Sequence, residues 1–381
     1  MFETELNTII LVIAVLTVLY WMAVMLDTLI GMRQVKVLDA GMTLPDDTLP
    51  EVSIIITAKD EEASIARSLR SLQNLDYPKY EVIVVNDRSE DGTLDEIMKI
   101  QKEWPRLQVV TIEELPDGWV GKNYACYRGY EKSTGGVLLF TDADVMFKPE
   151  SLKTAIAHLE THSADHLAVS PAIYGESFFL RLFVKYFFFS FLIFFRPWAG
   201  GMGVGAFNMF RREAYEHIGT HRSVALRPDE DLQLGKLVKK SGLRQRFASG
   251  KLLLSVQWYT SLREAMYGIE KNAFAGLSYN YFMAGGAVLG QVVLFVIPFV
   301  AVFLTGDVIQ HLYVAVIVMI FTVFIIHTTV FSMRKGYDAV FLPIAALLFL
   351  FTICRALIKT ILYRGIHWRG TFYSLQELRK R

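Results

Sequence analysis

Three clusters of carboxylates stand in the first half of the chain, each directly after an apolar run. They are Thr57-Ala58-Lys59-Asp60-Glu61-Glu62, Asn86-Asp87-Arg88-Ser89-Glu90-Asp91-Gly92-Thr93 and Thr141-Asp142-Ala143-Asp144. An isolated Asp-x-Asp is most often a solvated turn or a helix cap; three clusters after successive apolar runs are harder to dismiss. Mg²⁺ or Mn²⁺ takes hard oxygen ligands, commonly one or two carboxylates plus substrate phosphates. Held there, such a cation neutralises charge on a departing diphosphate. Asp142 and Asp144, on one edge of a turn, suit that grip. Lys122 falls between the second and third clusters, where an anionic phosphate needs a cation to approach carboxylates. Its bland alternative is a surface lysine at a helix start.

The elements that must position these residues are legible from periodicity. After a linker with Pro45 and Pro50, the Val/Ile run 52–57 reads as a strand buried on both faces. Ile65, Leu69 and Leu72 then share one helical stripe. Strand 81–86, a helix with Leu94, Ile97 and Met98, strand 107–112, helix 122–133, strand 137–141, helix 149–162 and strand 167–170 follow. Strands alternating with helices predict an α/β fold with a mostly parallel sheet. Ligands of such sheets sit beyond the carboxyl ends of the strands, where the acidic clusters fall. Gly200-Gly201-Met202-Gly203-Val204-Gly205 lacks the strand-before, helix-after context of a dinucleotide loop and is expected to be a flexible acceptor-side loop before strand 206–210.

The composition adds a membrane. Hydrophobic residues make up 53% of the 381, and a net charge of only +1 gives no support for a nucleic-acid partner, which would need a basic stripe. Cys126 and Cys354 are too few for a disulfide framework or a cysteine-ligated metal. Residues 8–30 carry Asp27 as their only charge, long enough to cross the hydrocarbon layer as an uncleaved anchor. Apolar runs recur at 284–304, 312–332 and 339–363. The last contains Arg355 and Lys359; a mid-span Arg costs about 2.5–3.5 kcal/mol on insertion scales, so this run is expected to span partly or re-enter. Arg33, Lys36, Arg334 and Lys335 put the N-terminus outside and residues 31–283 in the cytoplasm. Four full spans would place the basic tail outside, against the same rule. Phe178–Phe195 fits a core helix, another membrane-crossing helix, or an interfacial helix in which Arg181, Lys185 and Arg196 snorkel to headgroups. The interfacial placement is preferred. The expected organisation is an anchor (1–32), a catalytic domain (50–275) with interfacial helix 178–198, a membrane region (284–363) and a basic tail (364–381).

Asp-x-x-Ser-x-Asp-Gly-Thr after a strand, then Gly-Lys-Asn, strand–Asp-x-Asp and Glu-Asp-x-x-Leu-Gly, together resemble the family-2 glycosyltransferases of GT-A (Rossmann-like) fold over about 52–237. Gly118-Trp119-Val120-Gly121-Lys122 and Trp368-Arg369-Gly370-x-x-Tyr373 are similar to a lipid-directed subgroup that includes carotenoid (diaponeurosporenoate) and hopanoid-associated glycosyltransferases. The resemblance implies transfer of a sugar from a nucleotide diphosphate, expected to be UDP, to a lipid acceptor at the membrane. It implies that Ala58 and Glu61 border base and ribose, Asp87 bonds the base, Lys122 faces the phosphates, Asp142 and Asp144 hold the donor through Mg²⁺ or Mn²⁺, and Asp231 is the general base. Displacement at an anomeric carbon independently calls for one carboxylate near the acceptor oxygen; Glu230 and Asp229 are rivals. The Gln-x-x-Arg-Trp block of processive members is missing, leaving Arg263 or Lys271 as substitutes towards the diphosphate. Alternatives are a membrane glycan synthase, or an inactive scaffold or nucleotide-sensing subunit.

Overall fold

The computed structural model of the protein describes residues 2–41, 44–275, 277, 280–334, 336–368 and 371–374. The chain divides into two compact units that interleave in sequence. One takes residues 35–174 and 197–258; the other takes 1–34, 175–196 and 259–381.

Helix α1 (Phe2–Gly31) opens the chain, followed by β1 (Lys36–Val37), β2 (Val52–Ala58), α2 (Ile65–Gln73), β3 (Tyr80–Asp87), α3 (Thr93–Glu103) and β4 (Leu107–Ile112). Then come α4 (Gly121–Lys132), β5 (Val137–Asp142), β6 (Val145–Phe147), α5 (Ser151–Thr161), β7 (His166–Ser170), β8 (Ala172–Ile173) and α6 (Phe178–Phe195). The first unit resumes with β9 (Asn208–Arg211), α7 (Arg212–His217), α8 (Glu230–Lys240), β10 (Gln245–Ser249) and β11 (Leu254–Val256). The chain continues through α9 (Leu262–Ala275), α10 (Tyr281–Phe295), α11 (Ile297–Leu304), α12 (Asp307–Phe331), α13 (Leu342–Tyr363) and a hairpin of β12 (Gly365–Trp368) and β13 (Thr371–Ser374).

In the α/β unit an eight-stranded sheet runs β1-β10-β7-β9-β5-β2-β3-β4, parallel except at β9, which is antiparallel to both β5 and β7. Alternate residues of each central strand enter opposite cores, as the two-residue strand period requires. Ile54, Ile56, Val82, Val84 and Leu139 pack with Ile65, Leu69, Ile97 and Ile156. Ile55, Ile83, Val85, Leu138 and Phe140 pack with Ala125, Cys126, Tyr215, Leu234 and Val238. Burial on both faces explains the unbroken Val/Ile runs. A small second sheet, β6-β11-β8, has strands of two or three residues, too short for periodicity to announce. Met98, placed on the helical stripe by spacing, is 39% exposed, and Ile97 with Ile100 makes the buried contact.

Among the described residues four helices are long and apolar enough to cross a membrane, at 7–31, 178–199, 307–331 and 337–363. Helices α10 and α11 form a further pair, bent by 42°. The sequence reading expected an interruption in the last apolar run; the bend lies in the first C-terminal run, and α13 continues through Arg355 and Lys359. The boundary of the α/β unit also shifts, because Tyr259 onward, including α9, packs with the helices.

Helix α6 departs from expectation in its charges. Its Leu180, Phe183, Tyr186, Phe189 and Leu192 are buried against α12 and α13, with Phe189 stacked 6.3 Å from Trp21. Lys185 pairs with Asp338 at 2.6 Å, Arg196 pairs with Asp27, and Arg181 donates to the carbonyls of Gly175 and Glu176. The cations expected to reach headgroups are therefore committed to protein partners. Burial makes an unpaired ammonium costly, and the nearby carboxylates supply the pairing.

Candidate active site

The carboxyl ends of β2, β3 and β5 lie side by side, with Thr57 in register with Asp142 and Ala58 with Asn86. This brings the three acidic clusters to one edge of the sheet. The turns after β2 and β3 are cross-linked reciprocally: the Asp60 amide donates to Ser89 Oγ (3.2 Å) and the Glu90 amide to Asp60 Oδ1 (2.8 Å). The Glu62 amide donates to Asp91 Oδ2 (3.2 Å) and the Gly92 amide to Glu62 Oε2 (3.1 Å). Glu61 donates its amide to Thr93 Oγ1 (2.7 Å) and accepts from Ser64 Oγ (2.8 Å). Several carboxylates of these clusters thus hold loops, which limits the expected donor-site set to fewer residues. Ala58 contributes only backbone, since its side chain lies in the core. Asp87 is buried and held bidentately by its neighbour, Arg88 Nε to Oδ1 at 2.7 Å and Nη2 to Oδ2 at 3.1 Å.

Lys122, in the first turn of α4, is the hub. Its ammonium is 2.7 Å from Asp142 Oδ1 and 2.8 Å from Glu230 Oε1, so it joins the end of β5 to the start of α8. Asn123 makes that join rigid, donating to the carbonyls of Val224 (2.6 Å), Ala225 (3.2 Å) and Arg227 (2.9 Å) in the segment before α8. Asn123 stands in the Gly-Lys-Asn motif, yet nothing in its type or spacing marks it as the fastener.

The glycine-rich segment is fixed and not flexible. Gln245 Oε1 accepts from the amides of Gly201 and Met202, and its Nε2 reaches His166 Nδ1 (2.7 Å) and donates to the Met202 carbonyl (2.9 Å). At Gly203 a Cβ would lie 1.8 Å from the Asp231 carbonyl oxygen, so no side chain fits between this segment and α8. At Gly205 the amide donates to Asp231 Oδ2 (2.7 Å), and a Cβ would meet Asp142 Oδ2 at 2.9 Å and Lys122 Nζ at 3.1 Å. The segment is thus a wall of the carboxylate cluster.

Three acidic neighbours that the sequence left as rivals now differ. Asp229 is clamped by Arg227 through two 2.9 Å bonds and by Gln233 (2.6 Å). Glu230 is buried on Lys122. Asp231 is half-buried; one oxygen accepts the Gly205 amide and the other the Leu232 amide, and a carboxylate oxygen so engaged retains acceptor capacity.

The electrostatics follow from this crowding. Burial alone would lower the Lys122 ammonium, but Asp142, Glu230 and Asp231 raise it well above its ordinary value. Burial, helped by Asp231 and Asp142 and opposed by Lys122, pushes Glu230 up to about 7. Burial also raises Asp231, against Lys122 and the amides of Leu232 and Gly205. Asp144 is pushed up to about 7 by burial and by the charges of Asp142 and Glu61. A divalent cation between Asp142 and Asp144 would relieve that repulsion, and two carboxylates are the chemistry such an ion takes when phosphates complete its shell. Among the described residues no three His, Cys, Asp or Glu side chains converge as a ready-made metal cage. Arg263 belongs to the helical unit; the side chain of Lys271 and the pair Arg369-Gly370 lie outside the described residues.

Residues 53–219 match the family described as Glycosyl transferase family 2. A beta-monoglucosyldiacylglycerol synthase of Trichormus variabilis is 32% identical over 128 residues, 33% of this chain and 27% of that protein. A 4,4'-diaponeurosporenoate glycosyltransferase of Staphylococcus haemolyticus is 34% identical over 111 residues, 29% of this chain and 28% of that one. The matches thus cover little more than a quarter of these relatives' own length. In fold, the chain is similar to the mannosyltransferase PcManGT of Pyrobaculum calidifontis, solved with GDP-Man and Mn²⁺: TM-score 0.56, 18% identity, 93% of this chain and 99% of that one covered. The sheet, the strand-end carboxylates and the family match agree, and residues 53–219 of this chain belong to a glycosyltransferase family 2 domain of GT-A fold.

Proposed function

We propose that the protein transfers a sugar from a nucleotide-diphosphate sugar to a lipid or lipid-linked acceptor, with its α/β unit in the cytoplasm. The observation that carries the reading is the Lys122 hub, which draws Asp142 at the end of β5 and Glu230 at the start of α8 into one cluster with Asp231. Donor-side and acceptor-side groups are then close enough to act on one bond.

Asp142 and Asp144 would hold Mg²⁺ or Mn²⁺, which supplies neutralising charge for a diphosphate leaving group. Asp231 is the acceptor-side base: it takes the proton of an acceptor hydroxyl as that oxygen bonds the anomeric carbon and the carbon–oxygen bond to the diphosphate breaks. Its raised proton affinity suits that task. Glu230 and Lys122 position the group, and Asp87 with Arg88 lies at the expected base-recognition end. The lipid acceptor is supported by relatives named as a beta-monoglucosyldiacylglycerol synthase and a diaponeurosporenoate glycosyltransferase, and by helices long enough to cross a membrane. UDP is the nucleotide that the motif resemblance implies; the mannosyltransferase of similar fold was solved in complex with GDP-Man, so both belong in the test.

Membranes containing the protein, incubated with labelled UDP- and GDP-sugars and Mn²⁺, should yield labelled lipid in an organic extract and release the nucleotide diphosphate. Nucleotide binding without release in any lipid extract would overturn the transferase reading and leave a nucleotide-sensing subunit. Label in water-soluble polymer only would replace the lipid acceptor by a growing glycan.

A further inference from the structure

Three cations of the helical unit meet around one aromatic ring. Arg355 Cζ lies 4.0 Å from the centroid of Tyr267, Lys359 Nζ 5.1 Å and Arg263 Cζ 5.6 Å. The arrangement is built from two packed helices. Arg355 and Lys359 are one turn apart on α13, and Arg263 and Tyr267 are one turn apart on α9, so each helix offers a single face. Glu264, the acid in the first turn of α9, accepts from the Thr260 amide (2.9 Å) and hydroxyl. Hydrogen bonds from Arg263 and Arg355 lower the Tyr267 phenol, the response of a group in a positive field.

The cluster also has apolar company. Ile358, Ile361 and Leu362 on the same stretch of α13 are 58%, 52% and 71% exposed. Cations within an apolar membrane-type helix are expensive to insert and mark ligand sites or pathways. Arg and Lys stems reach along such a helix to place their heads at the interface. Basic pockets between helices near the membrane surface receive phosphate-bearing headgroups, and Arg guanidinium matches phosphate oxygens bidentately.

We propose that Arg263, Arg355 and Lys359, gathered on Tyr267, form a binding site for the phosphate of an anionic membrane lipid. The exposed aliphatic residues beside the cations accommodate acyl chains, which favours a lipid over a free phosphate. The site lies wholly within the helical unit and does not depend on the transferase reading, so either can fail without the other.

The full chain is reconstituted in nanodiscs of phosphatidylcholine with phosphatidylglycerol, then released gently for native mass spectrometry. The wild-type protein should retain phosphatidylglycerol over phosphatidylcholine. Arg355→Gln with Lys359→Gln should reduce retention by at least about tenfold, the loss expected of charge-assisted hydrogen bonds, whereas Lys240→Gln in the α/β unit should not. Should the double variant fail to fold, Arg263→Gln, at an exposed position, carries the same expectation. Equal retention of the two lipids, or full retention by the folded variants, would overturn the proposal. Displacement of the lipid by inorganic pyrophosphate at stoichiometric concentration would assign the cluster to a soluble phosphate and overturn the lipid assignment.

Discussion

Asp142, Asp144, Glu230 and Asp231 share a small volume with one ammonium, and each reacts differently to losing its charge. Asp144→Asn would take a hard anionic oxygen from the proposed metal site without changing shape. Mn²⁺ affinity should fall by more than the roughly 10–100-fold that an outer-sphere partner costs, with the melting temperature of the metal-free protein kept or raised. Unchanged Mn²⁺ binding by isothermal titration would remove Asp144 from the metal set. Asp231→Asn should reduce turnover by about 10²–10⁴-fold, the usual contribution of a positioned base, and leave nucleotide-sugar affinity nearly intact. Equal losses of donor binding and rate would reassign it to the donor side. Glu230 makes a prediction in pH. Its folded-state value of about 7 lies above the ordinary 4.5, so the native state holds a proton that the unfolded chain has released. Its contribution is therefore full below about 4.5 and is lost as pH rises through about 7. Melting curves of wild type and Glu230→Gln across that window should show the variant without this decline; parallel curves would mean that Glu230 is ionised throughout.

At the scale of elements, α6 and the glycine-rich segment carry the informative departures. Both flanks of α6 belong to one eight-stranded sheet, because β7 precedes it and β9 pairs with β7 after it. A single crossing of the bilayer would place two halves of that sheet on opposite sides. Length and apolarity suffice for a span, but the topology argues for a helix that enters and leaves from one side. Phe179 and Phe194 are 50% and 57% exposed, unlike the buried Phe183 and Phe189. Replacing both with Ser should spare folding, since neither is in the core. It should lower transfer to membrane acceptors by severalfold or more, each aromatic giving up about 1.5–3 kcal/mol of burial if it enters lipid. Donor hydrolysis should be unaffected. Equal loss of both activities would make α6 an ordinary bundle helix.

For the whole molecule the prediction is sidedness. Residues 35–174 and 197–258 form one unit and must share a compartment. In a background without Cys126 and Cys354, cysteines at Lys102 and Lys240 should react only with reagent admitted to the cytoplasmic side. A cysteine at Val308, after the short connection between α11 and α12, should react from outside. Cytoplasmic labelling at Val308 would reverse the orientation and with it the compartment of the transferase unit.

The strand ends, the three acidic clusters, the apolar helices and the Asp231 neighbourhood were all readable from the chain, because strand burial, helical stripes and oxygen-ligand chemistry each leave a short-range pattern. Tertiary structure alone decided what those residues do to one another. Asp229 and Asp231 are two positions apart, yet one is clamped by Arg227 while the other faces Gly205. Lys122 and Glu230 are 108 positions apart in sequence, and they are in contact. The fastening by Asn123 and Gln245, the antiparallel β9 and the ion pairs of α6 likewise join distant segments. Periodicity reports which face of an element is buried, but not which distant side chain meets it there.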